Sequence, residues 1–425
     1  MSTFTADTYQ NEYLPLGATE VNAVVTVTSS DGAIAANSAD AAEIVIVDVS
    51  GSMSAPRAKL RAAKDATAVA IDCIRDDVMF GVIAGSMTAT PVYPASGTLV
   101  AASASTREEA KQAVARLKAA DGTAIGTWLA LANQLFSTSP DTICHAILLT
   151  DGQNEHETPE DLERVLADCE GSFQCDCRGV GTDWEVSELR SIASALLGTV
   201  DIIAEPSNMA ADFQSMIEQA MGKATNNVSL RLWTPQGANV AYVKQVAPTI
   251  EDLTIRATPV DALTGDYPTG AWGQESRDYH LCIHVQPRDA GEEMLAGRFS
   301  LLVGEALVSQ ALIRAVWTDD EQLSTRINRE VAHYTGQAEL AEVIQEGLEA
   351  RKSGDEETAT YKLGRAVQLA SASGNDGTMK LLSSVVDVDD AATGTVRLKR
   401  SVDDADEMAL DTRSTKTVRV QKHEP

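Results

Sequence analysis

The stretch EIVIVDVSGSMS, residues 43–54, constrains the fold of this chain more than any other part of the sequence. It opens with a short apolar run, residues 44–47, in which β-branched side chains dominate. Such a run predicts a strand that is buried on both faces of a parallel sheet. Ligands of open parallel sheets bind just beyond the carboxyl ends of the strands. We therefore expect the polar residues that follow, Asp48, Ser50 and Ser52, to lie in a binding site.

The residue types in this loop favour a hard cation. A carboxylate and two hydroxyls are oxygen ligands of the kind that Mg²⁺ prefers, and Gly51 allows the loop to bend closely around an ion. Magnesium requires octahedral coordination, so further oxygen donors must come from elsewhere in the chain. The sequence offers Thr123 in DGTAIGT and Asp151 in ILLTDGQNE, where Asp151 again follows an apolar run.

These segments, DVSGS, DGTAIG and LLTDG in this order, resemble the metal-ion-dependent adhesion site of the von Willebrand factor type A family, over residues 42–222. The resemblance implies that Ser50, Ser52 and Thr123 are hydroxyl ligands. It also implies that Asp48 and Asp151 act mostly through bound water. All these positions match, so we expect an intact site for Mg²⁺, with Mn²⁺ or Ca²⁺ as substitutes. The alternative is a polar loop that caps the sheet without a metal.

The resemblance predicts a function in protein binding. In this family, an Asp or Glu carboxylate from a partner protein completes the coordination of the ion. We therefore expect an Mg²⁺-dependent interaction module that binds a partner through an acidic residue. Asn154, Glu155 and His156 follow Asp151 directly and are predicted to flank the site and tune its specificity. Their alternative interpretation is as solvated loop residues.

Two other classes of function are weighed against protein binding. The chain could be a non-catalytic cofactor or scaffold of an ATPase, or of a metal-stress complex of the tellurite type. Since the chain has no ATPase motif, that ATPase would be a separate protein. A metal-dependent hydrolase is less favoured, because the histidines form no ligand spacing and no nucleophile or phosphate-binding motif occurs. We expect no enzyme activity.

Composition limits the partners and the compartment. The net charge of −28 repels phosphate backbones, so nucleic acid is not expected as a partner. No apolar run approaches the ~18 residues of a membrane helix, which predicts no membrane segment. The amino terminus lacks the pattern of a secretory signal, and the cysteines are scattered like reduced core thiols. We expect a cytoplasmic protein of the bacterial intracellular type.

The hydropathy pattern changes along the chain and predicts several regions. Alternating strands and helices over residues 42–222 predict an α/β domain with a doubly wound parallel sheet. Residues 226–318 have a period of two, which predicts an antiparallel β-sandwich. Strands within residues 9–38 are expected to pair with that later region, so the parallel domain would be inserted in the sandwich.

The carboxyl-terminal part is predicted to be helical and then irregular. Residues 319–375 have the pattern of a helical hairpin whose helices join at Gly354. Residues 385–425 mix acidic and basic side chains with little periodicity, which predicts a mostly disordered tail. Hydroxyl side chains within this tail could accept phosphate, although an unmodified polar tail is favoured; these are Thr412, Ser414, Thr415 and Thr417.

Overall fold

The computed structural model describes residues 3–30, 41–55, 58–139 and 142–420. The described residues form two compact units. The first unit takes in the described residues up to 30, residues 227–269 and residues 274–420, and the second contains those of 41–226 together with 270–273. Residues 31–38 of the predicted amino-terminal strand region and residues 421–425 of the predicted tail lie outside the described residues.

The first strands of the chain belong to the first unit. They are Thr3–Gln10 (β1), Tyr13–Pro15 (β2) and Glu20–Ser30 (β3). The sequence predicted regular structure only from residue 9, whereas β1 already begins at Thr3 and pairs with β3 along its whole length. The polar sequence of β1 does not indicate a strand. Backbone hydrogen bonds to β3 nevertheless hold it in an extended conformation.

A doubly wound sheet forms the second unit, as predicted. Its described strands are Ala41–Asp48 (β4), Met79–Gly85 (β5), Ala89–Tyr93 (β6), Val100–Ala101 (β7), Ile143–Thr150 (β8), Gln174–Val180 (β9) and Val200–Ile203 (β10). Its described helices are Ala58–Cys73 (α1), Ala104–Ala115 (α2), Ile125–Phe136 (α3), Pro159–Cys169 (α4), Val186–Ala195 (α5) and Met209–Met221 (α6). The spatial order is β10-β9-β8-β4-β5-β6, with β7 also pairing with β5.

Strand β4 lies at the centre of this sheet. It pairs in parallel with β5 on one side and with β8 on the other, and every residue in it is buried. Val45 and Val47 pack in a core with Ile71 of α1 and Phe213 of α6. The β-branched run that predicted a doubly buried strand therefore occupies that position, because helices cover the sheet.

The first unit continues with two antiparallel sheets. Its described strands here are Val228–Trp233 (β11), Asn239–Ala247 (β12), Glu251–Asp252 (β13), Thr258–Asp261 (β14), Thr264–Pro268 (β15), Ser276–His284 (β16), Glu293–Val303 (β17) and Ala306–Thr318 (β18). One sheet has the order β1-β3-β16-β12-β13, and the other β14-β15-β11-β17-β18-β2. A Cβ added to Gly297 would meet Ile283 of the first sheet and Leu232 of the second, which shows that side chains from both sheets meet. This is the packing of a sandwich.

The amino-terminal strands pair with this later region, as predicted. Strand β3 is antiparallel to β16, with Val25 opposite Tyr279, and β2 is parallel to β18. The chain thus begins a sandwich, forms the parallel-sheet domain, and then completes the sandwich. This confirms the predicted insertion.

Helices follow the sandwich. They are Glu321–Ser324 (α7), Arg329–Ser353 (α8), Glu356–Ser373 (α9), Asp376–Val385 (α10) and Asp404–Arg413 (α11), with the strands Val386–Asp390 (β19) and Thr395–Leu398 (β20) between the last two helices. Helices α8 and α9 form the predicted hairpin, and Gly354 ends α8 in the left-handed conformation at φ 81°. Glycine is favoured there because it has no Cβ.

The prediction of a disordered tail over residues 385–425 is wrong for its described part. Strands β19 and β20 pair as a hairpin, and Val386, Val396 and Leu410 are buried in one core with residues of α8 and α9. Thr412 and Ser414, considered above as phosphate acceptors, are 1% and 3% exposed. Burial against the helical hairpin stabilises a segment whose own composition is too polar to predict it.

Helix α8 contains an interior glycine that no close contact requires. A Cβ added to Gly336 would meet nothing within 4 Å. We expect Gly336→Ala to stabilise the protein by roughly 0.5–1 kcal/mol, because alanine loses less backbone entropy in a helix. Urea unfolding would measure this gain. The contrasting substitution is Gly347→Ala in the same helix, where the added Cβ would lie 2.8 Å from Leu363 Cγ and should destabilise the hairpin. A loss of stability in Gly336→Ala would contradict the expectation.

Among the described residues, no helix combines the length and apolar character that crossing a membrane requires.

Candidate metal centre

The residues predicted as ligands lie at the carboxyl edge of the parallel sheet. Asp48 ends β4, and Asp151 follows the last residue of β8. These strands are adjacent and parallel, and Val47 of β4 lies opposite Leu149 of β8. The register therefore brings two carboxylates that are distant in the sequence to the same edge.

Backbone and hydroxyl donors hold the Asp48 carboxylate. The Ser50 backbone N–H donates to Asp48 Oδ1 at 2.6 Å, and the Thr150 hydroxyl donates to Asp48 Oδ2 at 2.6 Å. The Asp151 backbone N–H lies 3.3 Å from the same Oδ2 atom. Asp48 is completely buried, and this burial raises the pKa of its carboxyl, while the hydrogen bonds from Ser50 and Thr150 oppose the rise. The carboxylate is thus oriented before any ligand binds.

The two serines connect the first loop to Asp151. Ser50 Oγ and Ser52 Oγ are 2.9 Å apart, and Ser52 Oγ donates to Asp151 Oδ1 at 2.5 Å. Asp151 is completely buried and Ser50 nearly so, whereas Ser52 is exposed. The cluster therefore opens to the surface at Ser52.

Thr123 reaches the same place from the loop before α3. Its hydroxyl lies 3.9 Å from the point where a Cβ on Gly152 would be, and Ser52 Oγ lies 3.3 Å from that point. His156 holds the loop, since the Thr123 N–H donates to His156 Nδ1 at 3.2 Å and the His156 N–H donates to the Thr123 carbonyl at 3.0 Å. Glycine at position 152 leaves the space between these hydroxyls free.

The residues predicted to flank the site have different surroundings. Asn154 Oδ1 accepts from the Ile125 N–H at 2.8 Å, and Asn154 Nδ2 donates to Glu157 Oε1 at 2.6 Å. Glu157 Oε1 also accepts from the Gly126 N–H at 2.6 Å. Asn154 and Glu157 therefore hold the amino-terminal turn of α3 and, through it, the Thr123 loop. Glu155 and His156 are exposed.

Sequence reasoning missed a cation at this site. Lys59, near the amino-terminal end of α1, donates from Nζ to Asp151 Oδ2 at 2.9 Å and to Asp183 Oδ2 at 3.3 Å. The helix dipole makes a lysine unfavourable near the start of a helix. A lysine at this position in the sequence could therefore have indicated that a nearby carboxylate pairs with it. Thr150 was also missed, although it directly precedes Asp151.

The donor set fits a hard cation. The described residues hold no cluster of three or more His, Cys, Asp or Glu side chains that could bind a metal. A metal at the carboxyl edge would therefore need hydroxyl oxygens in addition to the two carboxylates, and the structure places such hydroxyls there. Oxygen donors of this kind suit Mg²⁺ better than softer ions.

Comparison with known proteins supports the class of protein that this geometry defines. Residues 42–202 match the von Willebrand factor type A domain, and residues 368–414 match the von Willebrand factor type A C-terminal domain. A solved von Willebrand factor type A structure from Catenulispora acidiphila has 52% sequence identity and a TM-score of 0.94, and the match covers 99% of this chain and 98% of that chain.

More distant relatives share less. The ArnB paralog VWA2 from Sulfolobus acidocaldarius has the same fold at a TM-score of 0.60 with 13% identity, over 99% of this chain and 100% of that one. An uncharacterized Synechocystis protein is 29% identical over 221 residues. The match covers 50% of this chain, which spans about half the length of that curated relative.

Fold and site together define a doubly wound α/β domain with an oxygen-rich centre at its carboxyl edge, inserted in a β-sandwich. The chain belongs to the von Willebrand factor type A family. Domains of this family are generally interaction modules, which typically mediate metal-dependent protein interactions.

Proposed function

We propose that this chain is an Mg²⁺-dependent protein-interaction module. The observation that carries the proposal is the convergence of two fully buried carboxylates and three hydroxyls on one edge of the sheet. The residues that would hold Mg²⁺, or Mn²⁺ or Ca²⁺ in its place, are Asp48, Ser50, Ser52, Thr123 and Asp151. An Asp or Glu side chain of the partner protein would complete the site.

The hydrogen bonds explain why the partner should be acidic. Asp48 already accepts from Ser50 and Thr150, and Asp151 already accepts from Ser52 and Lys59. Because these hydrogen bonds already neutralise part of the negative charge of each carboxylate, the carboxylates neutralise the charge of a bound ion only in part. The serine and threonine hydroxyls are uncharged ligands and neutralise none of it. A bound cation supplies an electrophilic centre that favours an anionic ligand. Ser52, Glu155 and His156 are exposed, and a partner bound at the metal would contact them.

We expect Asp48→Ala to abolish metal uptake. The substitution removes a buried carboxylate of the site, together with the Oδ2 atom that accepts from the Thr150 hydroxyl. Isothermal titration with Mg²⁺ and Mn²⁺ would measure uptake by the wild type, with Asp65→Ala as the matched control. Asp65 is an exposed aspartate of α1 with a loose contact to Arg61, 4.0 Å between Arg61 Nε and Asp65 Oδ2. Equal uptake by Asp48→Ala and the wild type would refute the proposed site.

Partner binding is tested by affinity capture from the native host in Mg²⁺ and in EDTA. A partner held by the metal is captured by the wild type in Mg²⁺ and lost with EDTA or with Asp48→Ala. Capture that survives both treatments contradicts the proposal. The role as an ATPase cofactor or metal-stress scaffold would use the same site, and the identity of the captured protein distinguishes it from other binding roles.

A further inference from the structure

Lys59 is a buried cation built into the candidate metal centre. The residue is 8% exposed, and its ammonium contacts Asp151, which is completely buried, and Asp183, whose side chain is 72% exposed. Gly181 lies on a further side, where an added Cβ would be 3.7 Å from Lys59 Nζ. The lysine tip therefore sits between the loops that follow β8 and β9.

Each oxygen of the Asp151 carboxylate accepts a hydrogen bond from a different neighbour. Oδ1 accepts from Ser52, on the side of the hydroxyl cluster, and Oδ2 accepts from Lys59. A cation bound by the cluster and the Lys59 ammonium would therefore lie on opposite oxygens of one buried carboxylate. Like charges on one carboxylate group repel each other, and the repulsion is stronger where the groups are buried, as Lys59 and Asp151 are.

We propose that Lys59 sets the balance of affinities at this site: it weakens binding of the metal ion and strengthens binding of an anionic partner to the metal-loaded site. This inference rests on the proposed function. The carboxylates of Asp48, Asp151 and Asp183 carry three negative charges, of which a divalent ion offsets two and the Lys59 ammonium offsets the third. Lys59 thus removes the excess negative charge that would repel a partner carboxylate. Without Lys59, the ion binds more tightly but the loaded site attracts anions less.

The test compares Lys59→Met with the wild type, using Mn²⁺ and a short peptide that carries one glutamate. We expect Lys59→Met to bind Mn²⁺ at least ~10-fold more tightly in calorimetry, about 1.4 kcal/mol. At saturating Mn²⁺ we expect it to bind the peptide at least ~10-fold more weakly. Lys64→Met is the matched control, because Lys64 lies on the same helix and donates to the Ala115 carbonyl instead. A merely structural role would weaken both affinities together.

A second variant covers the case in which Lys59→Met fails to fold. Asp183→Asn leaves the Lys59–Asp151 contact in place and removes an exposed negative charge from the ammonium. It should act in the reverse sense to Lys59→Met: Mn²⁺ binds more weakly and the peptide more tightly, with both shifts reduced by salt.

The outcomes separate this inference from the proposed function. A wild type that takes up no Mn²⁺ overturns both. A wild type that binds Mn²⁺, with variants whose two affinities stay unchanged or move in the same direction, overturns the role of Lys59 alone. Opposite shifts in the two affinities, absent in Lys64→Met, support it.

Discussion

His145→Ala is expected to destabilise the parallel-sheet unit by about 3–5 kcal/mol. His145 lies in β8 between two carboxylates on neighbouring strands. Its Nδ1 atom is 2.8 Å from Glu43 Oε1 in β4, and its Nε2 atom is 3.1 Å from Asp176 Oδ2 in β9. The Glu43 side chain is completely buried, so removal of the imidazole leaves a buried carboxylate without its ion-pair partner.

The two carboxylates favour the protonated form of His145. Burial alone would lower the pKa of His145, but the charge of Glu43 and the hydrogen bonds that the imidazolium donates to both carboxylates outweigh it and raise the pKa to about 10. For Asp176, burial has the opposite effect and would raise the pKa of the carboxyl. The hydrogen bond and charge of His145 outweigh this effect and hold that pKa well below its ordinary value. The three side chains form an ionic cluster on one face of the sheet, in which Glu43 is completely buried and His145 and Asp176 are partly exposed.

The pKa of His145 also fixes the pH window of this effect. Because the folded-state pKa lies above the unfolded value of ~6.5, the stabilising contribution is fully present below pH ~6.5 and is lost as the pH rises towards 10. The difference in unfolding free energy between the wild type and His145→Ala should therefore be largest near pH 6 and shrink on the alkaline side. Urea unfolding at several pH values would measure it.

Two comparisons separate the loss of charge pairing from the loss of packing. Adding Glu43→Gln to His145→Ala removes the uncompensated charge, so the double variant should recover part of the stability. His284→Ala removes a histidine whose side chain is 45% exposed and 3.6 Å from Glu20, and should change stability by less than ~1 kcal/mol. If the double variant is no more stable than His145→Ala, the buried charge is not the cause.

The second large effect concerns the carboxyl-terminal segment. Leu410→Ala is expected to cost about 2–5 kcal/mol, because Leu410 is completely buried against residues of α8, α9 and α10 and its truncation leaves a cavity. Urea unfolding would measure the loss, and amide exchange would show whether α11 opens first.

Leu307→Ala is the matched control for Leu410→Ala. Leu307 lies in β18 and is 57% exposed, so the same truncation should change stability by roughly 0.5 kcal/mol or less. A disordered tail predicts no effect from either substitution. If Leu410→Ala and Leu307→Ala have equal and small effects, the tail is disordered, as its composition predicted.

The tail shows why composition alone misjudged this region. The sequence of α11, DADEMALDTR, is rich in charge and has few apolar residues. Such a segment cannot bury enough surface by itself to offset its ordering entropy. A local signal was present, since Asp403 accepts from the Ala405 N–H as the cap of α11. The apolar partners of Leu410 come from helices far away in the sequence, and no local pattern reports them.

For the candidate site, too, the sequence predicted some features and left others undetected. The short apolar runs that end at Asp48 and Thr150 predicted the strands, and the polar residues after them predicted the edge at which a ligand would bind. The salt bridge between Lys59 and Asp151 joins residues 92 positions apart, and the cluster of His145 with Glu43 spans 102 positions. The local pattern of neither segment indicates that these side chains meet.

The sequence by itself determined the family, the alternation of strands and helices, and the oxygen-bearing residues at the strand ends, because these depend on side-chain type and short-range periodicity. Only the tertiary structure decided which buried charges are paired, that a lysine lies within the candidate metal centre, and that the polar tail folds. Those outcomes depend on strand register and helix packing, which join distant segments whose separate patterns carry no information about one another.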